Sequence, residues 1–155
     1  MKIELNWFEP IELGSSSTLR ENIKNFDLKE IPDVSGIYVF YREYGETQTA
    51  LYVGKSENIR SRMKSHFNSL KLIEGLEDTP QGKKKLIFAE VKTRAELGRA
   101  LNQAEKGLIQ HYIENGHPLL NQKLMADHFD EITSTGNVIN LVDENIWVFS
   151  TQSTR

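Results

Sequence analysis

The chain contains no cysteine. That excludes disulfides, thiolate nucleophiles and cysteine-ligated zinc. No apolar run approaches the roughly 20 residues needed to cross a bilayer, and the opening Met-Lys-Ile-Glu-Leu-Asn-Trp has no signal-peptide core. There is no internal repeat and no low-complexity segment. A basic balance is missing too: the formal net charge is −3, which argues at first against a nucleic-acid partner. These absences lead us to expect a soluble, cytoplasmic protein of 155 residues, enough for one domain with a real core.

The distribution of charge points the other way. Residues 1–54 hold five Lys/Arg against nine Asp/Glu, residues 107–155 two against six, and residues 55–106 between them twelve against seven. A basic middle therefore sits between two acidic ends. Steering depends on local potential, so a negative chain can still present a basic face. Lys83-Lys84-Lys85 is the densest basic run there, and it reads equally as a solvated loop.

Two β-type runs, residues 37–41 and 50–53, flank the turn-rich Tyr44-Gly45-Glu46-Thr47 and predict a hairpin. Residues 1–13 alternate in places (Ile3, Leu5, Trp7) as a strand does, and Thr18 with Glu21 predicts a capping box for a short helix through Asn25. Ser56 is the expected cap of a basic helix over 57–70, with Ile59, Met63, Phe67 and Leu70 as its buried stripe. On it Arg62 and His66 are neighbours four apart, and Arg60 and Lys64 make a second basic pair. Residues 75–85, with Pro80 and Gly82, read as a loop, and residues 86–91 as a third strand.

Thr93 and Glu96 predict a second capping box, opening the longest helix, which runs to about Asn115 with Gly116 as its stop. Leu97, Leu101, Ala104, Leu108 and Tyr112 set its apolar face. At about 100° per residue, Glu105 falls at the edge of that face. A carboxylate there is costly unless a cation or hydrogen-bond donors meet it. Residues 118–121 return the chain to the body as a short extended segment. Further on, residues 138–142 and 146–149 around Asp143-Glu144-Asn145 predict a second hairpin, and residues 150–155 a frayed end. Trp7 and Trp147 are expected in the core, and His111, His117 and His128 as structural or exposed residues.

An ordered set now stands out: Gly36-Ile37-Tyr38, then Tyr52-Val53-Gly54-Lys55, then Arg62 and His66 on one helix, Glu105 on a later one, and Asn121 after Pro118. In residues and spacing it resembles the GIY-YIG endonuclease superfamily, over about residues 34–124. Val53 replaces the isoleucine of the family name, and His66 stands where other members carry His or Tyr. The resemblance divides the chain into an N-terminal extension packed on the core (1–33), a nuclease domain (34–124) and a C-terminal extension (125–155) carrying the second hairpin and tail.

The family implies an α/β (α+β) fold, a small three-stranded antiparallel sheet flanked by helices. It implies hydrolysis of a DNA phosphodiester with one divalent ion, Mg²⁺ or Mn²⁺. By resemblance Glu105 is the metal ligand, Arg62 holds the scissile phosphate, and Asn121 orients the metal-site residues or the water. Tyr38, Tyr52 and His66 would surround the nucleophilic water. A phenol with a free pKa of about 10 is a poor base unless a cation lowers it, and Lys55 is placed in sequence to do so. A neutral His66 is the more obvious acceptor near pH 7, and the residues leave the choice of base open. Lys55, Arg60, Arg62, Lys64, Lys83, Lys84 and Lys85 are the expected contacts to DNA.

Taken singly, each residue has a plainer explanation. A hairpin tyrosine is usually a packing residue, Arg62 and His66 could be a wet helix face, Glu105 could pair with a lysine, and Asn121 could serve a turn. Together, in this order, they point to an endonuclease. The alternative is a catalytically weak nucleic-acid-binding module of the same fold, suggested by the overall acidity and the lack of a DNA-reading motif. The acidic ends, 1–33 and 124–155, offer a docking surface for a second copy or another protein.

Overall fold

The sheet grows from the predicted hairpin. β3 (Gly36–Tyr44) and β4 (Thr47–Ser56) pair antiparallel, and β5 (Lys83–Thr93) adds antiparallel to the other side of β3. A computed structural model describes residues 1–121, 129–137, 141–142 and 145–149, and among these the main sheet has five strands rather than three. The other two come from the N-terminus. β1 (Ile3–Trp7) and β2 (Ile11–Gly14) lie along the outer edge of β5, pairing with residues 89–93 and 84–86 respectively. A bare edge leaves a row of unpaired amides and carbonyls, and these strands cover it. The order is β1-β5-β3-β4, so β4 forms the opposite edge.

β3 reads as an almost unbroken apolar run because both of its faces are covered. Tyr38 and Phe40 face one way and pack with Tyr52, Leu86 and Phe88 against α1 (Leu19–Lys24), α2 (Ile59–His66) and α3 (Leu70–Glu77). Ile37, Val39 and Tyr41 face the other way and pack with Val53 and Val91 against Ala100, Leu101, Ala104 and Ile109 of α4 (Leu97–Glu114). A mixed α/β fold with an antiparallel sheet and helices on both faces is what the resemblance implied.

The expected helix over 57–70 is two helices. α2 ends at His66, and Ser69 caps α3 by accepting from the amide of Leu72 at 3.4 Å. The new start resets the helical phase, so Leu72 and Leu76 are buried while Leu70 is exposed. Gly75 consequently lies in a helix, and the loop before β5 shortens to residues 78–82.

Caps also differ from expectation. Thr18 makes no side-chain cap, its hydroxyl being engaged with Ser15 and Asn22. Asn58, braced by Ser56, caps α2 instead of Ser56 itself. Glu96 caps α4 with its own carboxylate, on the amides of Gly98 and Arg99. At the other end Gly116, at φ 81°, lets the amide of His117 reach the carbonyl of Tyr112, closing α4 as a Schellman motif.

A second, two-stranded sheet pairs β6 (Phe129–Thr133) with β7 (Asn145–Phe149). The second strand lies where the sequence led us to expect it, but its partner is residues 129–133 rather than 138–142. Its register sets Ile132 opposite Ile146, a β-branched pair that favours an antiparallel ladder. Leu141 and Val142 lie in a turn, and residues 138–140, with His128 and the expected frayed end at 150–155, lie outside the described residues. Trp7 is not core: it is 41% exposed and lines an open pocket with Tyr41, Tyr112 and His117. Among the described residues, no helix is long and apolar enough to cross a membrane.

Candidate active site

The two glycines of the hairpin motif each make room for something specific. At Gly36 a side chain would collide with the carbonyl of Ala89, so glycine lets β3 start tight against β5. Gly54 stands directly opposite Tyr38 in the ladder, and a Cβ there would overlap the outer end of the Tyr38 ring. The phenol lies across the bare backbone of β4 and becomes fully buried.

Around that phenol the aromatic side chains close in. The Tyr52 ring stacks with that of Tyr38 at 6.4 Å between centroids, and the His66 ring stands edgewise to both, at 5.3 Å from Tyr38 and 5.6 Å from Tyr52. Phe40 meets all three at 6.2–6.4 Å. Phe40 carries no signal of its own in the sequence, although its place two residues after Tyr38 puts it on the same strand face.

Two polar contacts meet at the Tyr38 oxygen. Nε2 of His66 lies 2.5 Å from the Tyr38 oxygen, and Nε–H of Arg62, one turn earlier on α2, donates to the same oxygen at 3.4 Å. A guanidinium only donates. The phenol oxygen therefore accepts from Arg62, and it shares a second hydrogen bond with Nε2 of His66 whose donor is set by the imidazole tautomer. Burial, and then the charge of Arg62, lower His66 to about 4, so it is neutral and able to accept. Burial, and then the nearby Tyr52, push Tyr38 well above the usual tyrosine range, against the lowering pull of Arg62. The resting residue is a phenol.

Glu105 enters the site from α4 and is 9% exposed. Its charge acts on both Tyr38 and Arg62. For Arg62, burial works against the cation, but the hydrogen bond to Tyr38 and the nearby Glu105 favour it, and its pKa is raised. Beside these residues a cleft of about 470 Å³ is lined by Lys55 and Ser56 of β4, Glu57, Arg62 of α2, and Gly98, Leu101 and Asn102 of α4. The cleft thus lies at the β4 end, between α2 and α4. Asn102, one turn before Glu105 at helical spacing i, i+3, is a cleft residue that sequence reasoning misses, although that spacing makes it legible.

The donor set fits a divalent ion bound with its substrate. Among the described residues there is no cluster of three or more acidic or histidine side chains that could hold a metal by itself. A hard cation such as Mg²⁺ keeps several waters and needs only one or two carboxylates plus phosphate oxygens, and Glu105, whose charge acts on Arg62 and Tyr38, is the carboxylate that would hold it.

Other expected site residues are placed elsewhere. Asn121, completely buried, clamps the backbone of Val53: its Oδ1 accepts from the Val53 amide at 2.8 Å and its Nδ2 donates to the Val53 carbonyl at 2.7 Å. Four residues earlier, His117 accepts from the Ala50 amide at 2.9 Å through Nδ1. The segment after α4 thereby engages the outer edge of β4 at Ala50 and Val53, on either side of Tyr52. Arg60 turns away from Arg62 and donates to the carbonyl of Ile31 at 2.9 Å, and Lys64 lines a separate groove with Phe26 and Phe67. The lysine triplet is no loop. It opens β5, where Lys84 is 1% exposed and donates to the Pro80 carbonyl at 2.7 Å, while Lys83 and Lys85 pair with Glu12 and Glu43. The expectation that Lys84 meets DNA fails on burial.

Comparison with known proteins agrees with the family that the motif resembles. A family described as "GIY-YIG catalytic domain" matches residues 34–116. Similar proteins include UvrABC system protein C of Campylobacter jejuni, 33% identical over 72 residues, covering 39% of this chain and 11% of that protein. UvrABC system protein C of Dictyoglomus thermophilum is 38% identical over 50 residues, covering 32% of this chain and 7% of that protein. The chain thus spans about a tenth of the length of the curated relatives it matches. No solved structure matches it significantly.

Proposed function

The chain belongs to the GIY-YIG nuclease family, and from that premise we propose that it is a metal-dependent endonuclease that hydrolyses DNA phosphodiester bonds. The observation that carries the reading is the Tyr38 phenol held between Arg62 and a neutral His66, with the charge of Glu105 acting on both Tyr38 and Arg62 and the cleft that Arg62 and Lys55 line alongside.

In this reading Arg62 grips the scissile phosphate with its forked donors and offsets the charge that grows on it. A water attacks phosphorus in line with the leaving oxygen, the bond to that oxygen breaks, and the departing alkoxide takes up a proton from a solvent water. The water's proton passes to the Tyr38 oxygen as the phenol's own proton moves to Nε2 of His66, a relay that never requires a free phenolate. Tyr52 stacks against Tyr38 and narrows the space open to the water. Lys55 supplies a second cation at the cleft. A divalent ion, Mg²⁺ or Mn²⁺, held by Glu105 would add Lewis-acid stabilisation at the phosphate. Asn121 keeps β4, and with it Tyr52, in register.

To the same reading belongs a contact with a second copy or another protein through the acidic terminal segments, which gel filtration with light scattering would detect. The test of the function is a panel of duplex, flap, single-stranded and RNA substrates with Mg²⁺ and Mn²⁺. Cleavage of DNA that stops in EDTA is expected. Salt-dependent binding with no cleavage on any substrate would contradict it and identify a binding module instead.

A further inference from the structure

β5 carries positive charge at both ends, and the ends are not equivalent. At its start the three lysines are engaged within the protein, with Glu12, Pro80 and Glu43. At its far end Lys92 is exposed, and Arg94 just beyond is exposed too; with Lys2 they line an open cleft that also includes Thr93 and Ala95. Arg99, in the first turn of α4, is exposed as well. None of these four cations has an ion pair among the described residues. The nearby acids are Glu4, opposite Lys92 in the ladder; Glu90, on β5 itself; and Glu96, whose carboxylate is taken up by the start of α4.

Register decides which end serves the cleft. Lys55, Ile37 and Ala89 stand in one row across the sheet. Along β5, Lys92 is three residues from that row, roughly 10 Å, while Lys83 is six residues away in the other direction, roughly 20 Å. Ala95, by Lys92, and Gly98, in the catalytic cleft, are separated by at most about 10 Å of chain. The two clefts border the same turn into α4.

We propose that Lys2, Lys92, Arg94 and Arg99 form a track for the sugar-phosphate backbone of duplex DNA on one side of the bond to be cut. The track rests on the endonuclease reading. A duplex carries a charge about every 1.7 Å of its axis, so DNA leaving the cleft presents phosphates continuously to the neighbouring surface. A cation with no ion pair gains a phosphate outright. A lysine already joined to a carboxylate must first give that contact up.

The experiment compares wild type with Lys92→Glu/Arg94→Glu, the milder Lys92→Gln/Arg94→Gln, and Lys83→Gln as the control at the other end. Thermal unfolding verifies that each is folded. A labelled duplex is titrated in EDTA across a salt series, and nicking kinetics are measured with Mg²⁺. Both double variants should bind several-fold more weakly, with the slope of log affinity against log salt shallower by about 2, one for each phosphate no longer held. KM should rise with kcat unchanged, since contacts away from the reacting bond hold substrate and transition state alike. Lys83→Gln should match wild type. An unchanged slope in the folded double variants overturns the track, and so does an equal loss in Lys83→Gln. A wild type that neither binds nor nicks DNA sinks the endonuclease reading itself, and the track with it.

Discussion

Tyr38 lies across the backbone of Gly54, the residue paired with it in the ladder, and the missing side chain is what gives the phenol its place. The prediction is direct. Gly54→Ala should force the phenol off His66 and Arg62, lowering stability by about 1–3 kcal/mol, the usual cost of overpacking. Nicking should fall much further than the stability loss explains. Urea unfolding and a nicking assay on the same preparation measure both, and retained activity would show that the phenol does not depend on that space.

His66 predicts a pH effect of definite sign. It titrates at about 4 in the folded protein and at about 6.5 when unfolded, so between those values the unfolded chain takes up a proton that the folded one refuses. Its contribution to stability is fully present above pH 6.5 and is lost as pH falls through about 4. The shift corresponds to something on the order of 3 kcal/mol. His117 is lowered as well, by burial and then by His111, so the comparison must be differential. In metal-free buffer, wild type should lose more stability than His66→Phe between pH 7 and pH 4.5. Parallel losses would show that His66 is not held neutral.

Asn121→Ala should act through folding. It strands two buried backbone groups of Val53, each worth about 1–3 kcal/mol when left unpaired. We expect a loss of roughly 2–4 kcal/mol in urea unfolding. A variant of wild-type stability with collapsed kcat would instead assign Asn121 to the chemistry.

Lys84→Met should leave DNA affinity within about twofold of wild type, because the ammonium it removes is buried on Pro80 and does not reach solvent. Titration with a labelled duplex decides it, and a tenfold loss would place DNA at the start of β5.

What the sequence made legible was local. The two β-type runs through Tyr38 and Tyr52, on either side of the turn at Gly45, marked the hairpin, and the helical wheel placed Glu105 on the boundary of the buried face, where its 9% exposure puts it. What stayed hidden depended on partners distant in the chain. Nothing around Asn121 states that Val53, sixty-eight residues away, supplies its hydrogen bonds. Likewise, nothing in Lys83-Lys84-Lys85 states that Glu12, Pro80 and Glu43 engage these lysines. The break between α2 and α3 had a local cause, the Ser69 cap, but the apolar spacing of Phe67 and Leu70 masked it. The strands before Gly14 carried a weak alternation, and only the open edge of β5 turned it into two strands.

The most direct measurement is the nicking rate of supercoiled plasmid with Mg²⁺ for wild type, Arg62→Ala, Glu105→Gln and Glu105→Ala, each shown by circular dichroism to be folded. Each substitution should lower the rate by about a hundredfold or more, in keeping with the loss of one group that stabilises the transition state. Equal rates in all four proteins would contradict the endonuclease assignment, because the nicking would then come from something other than this site.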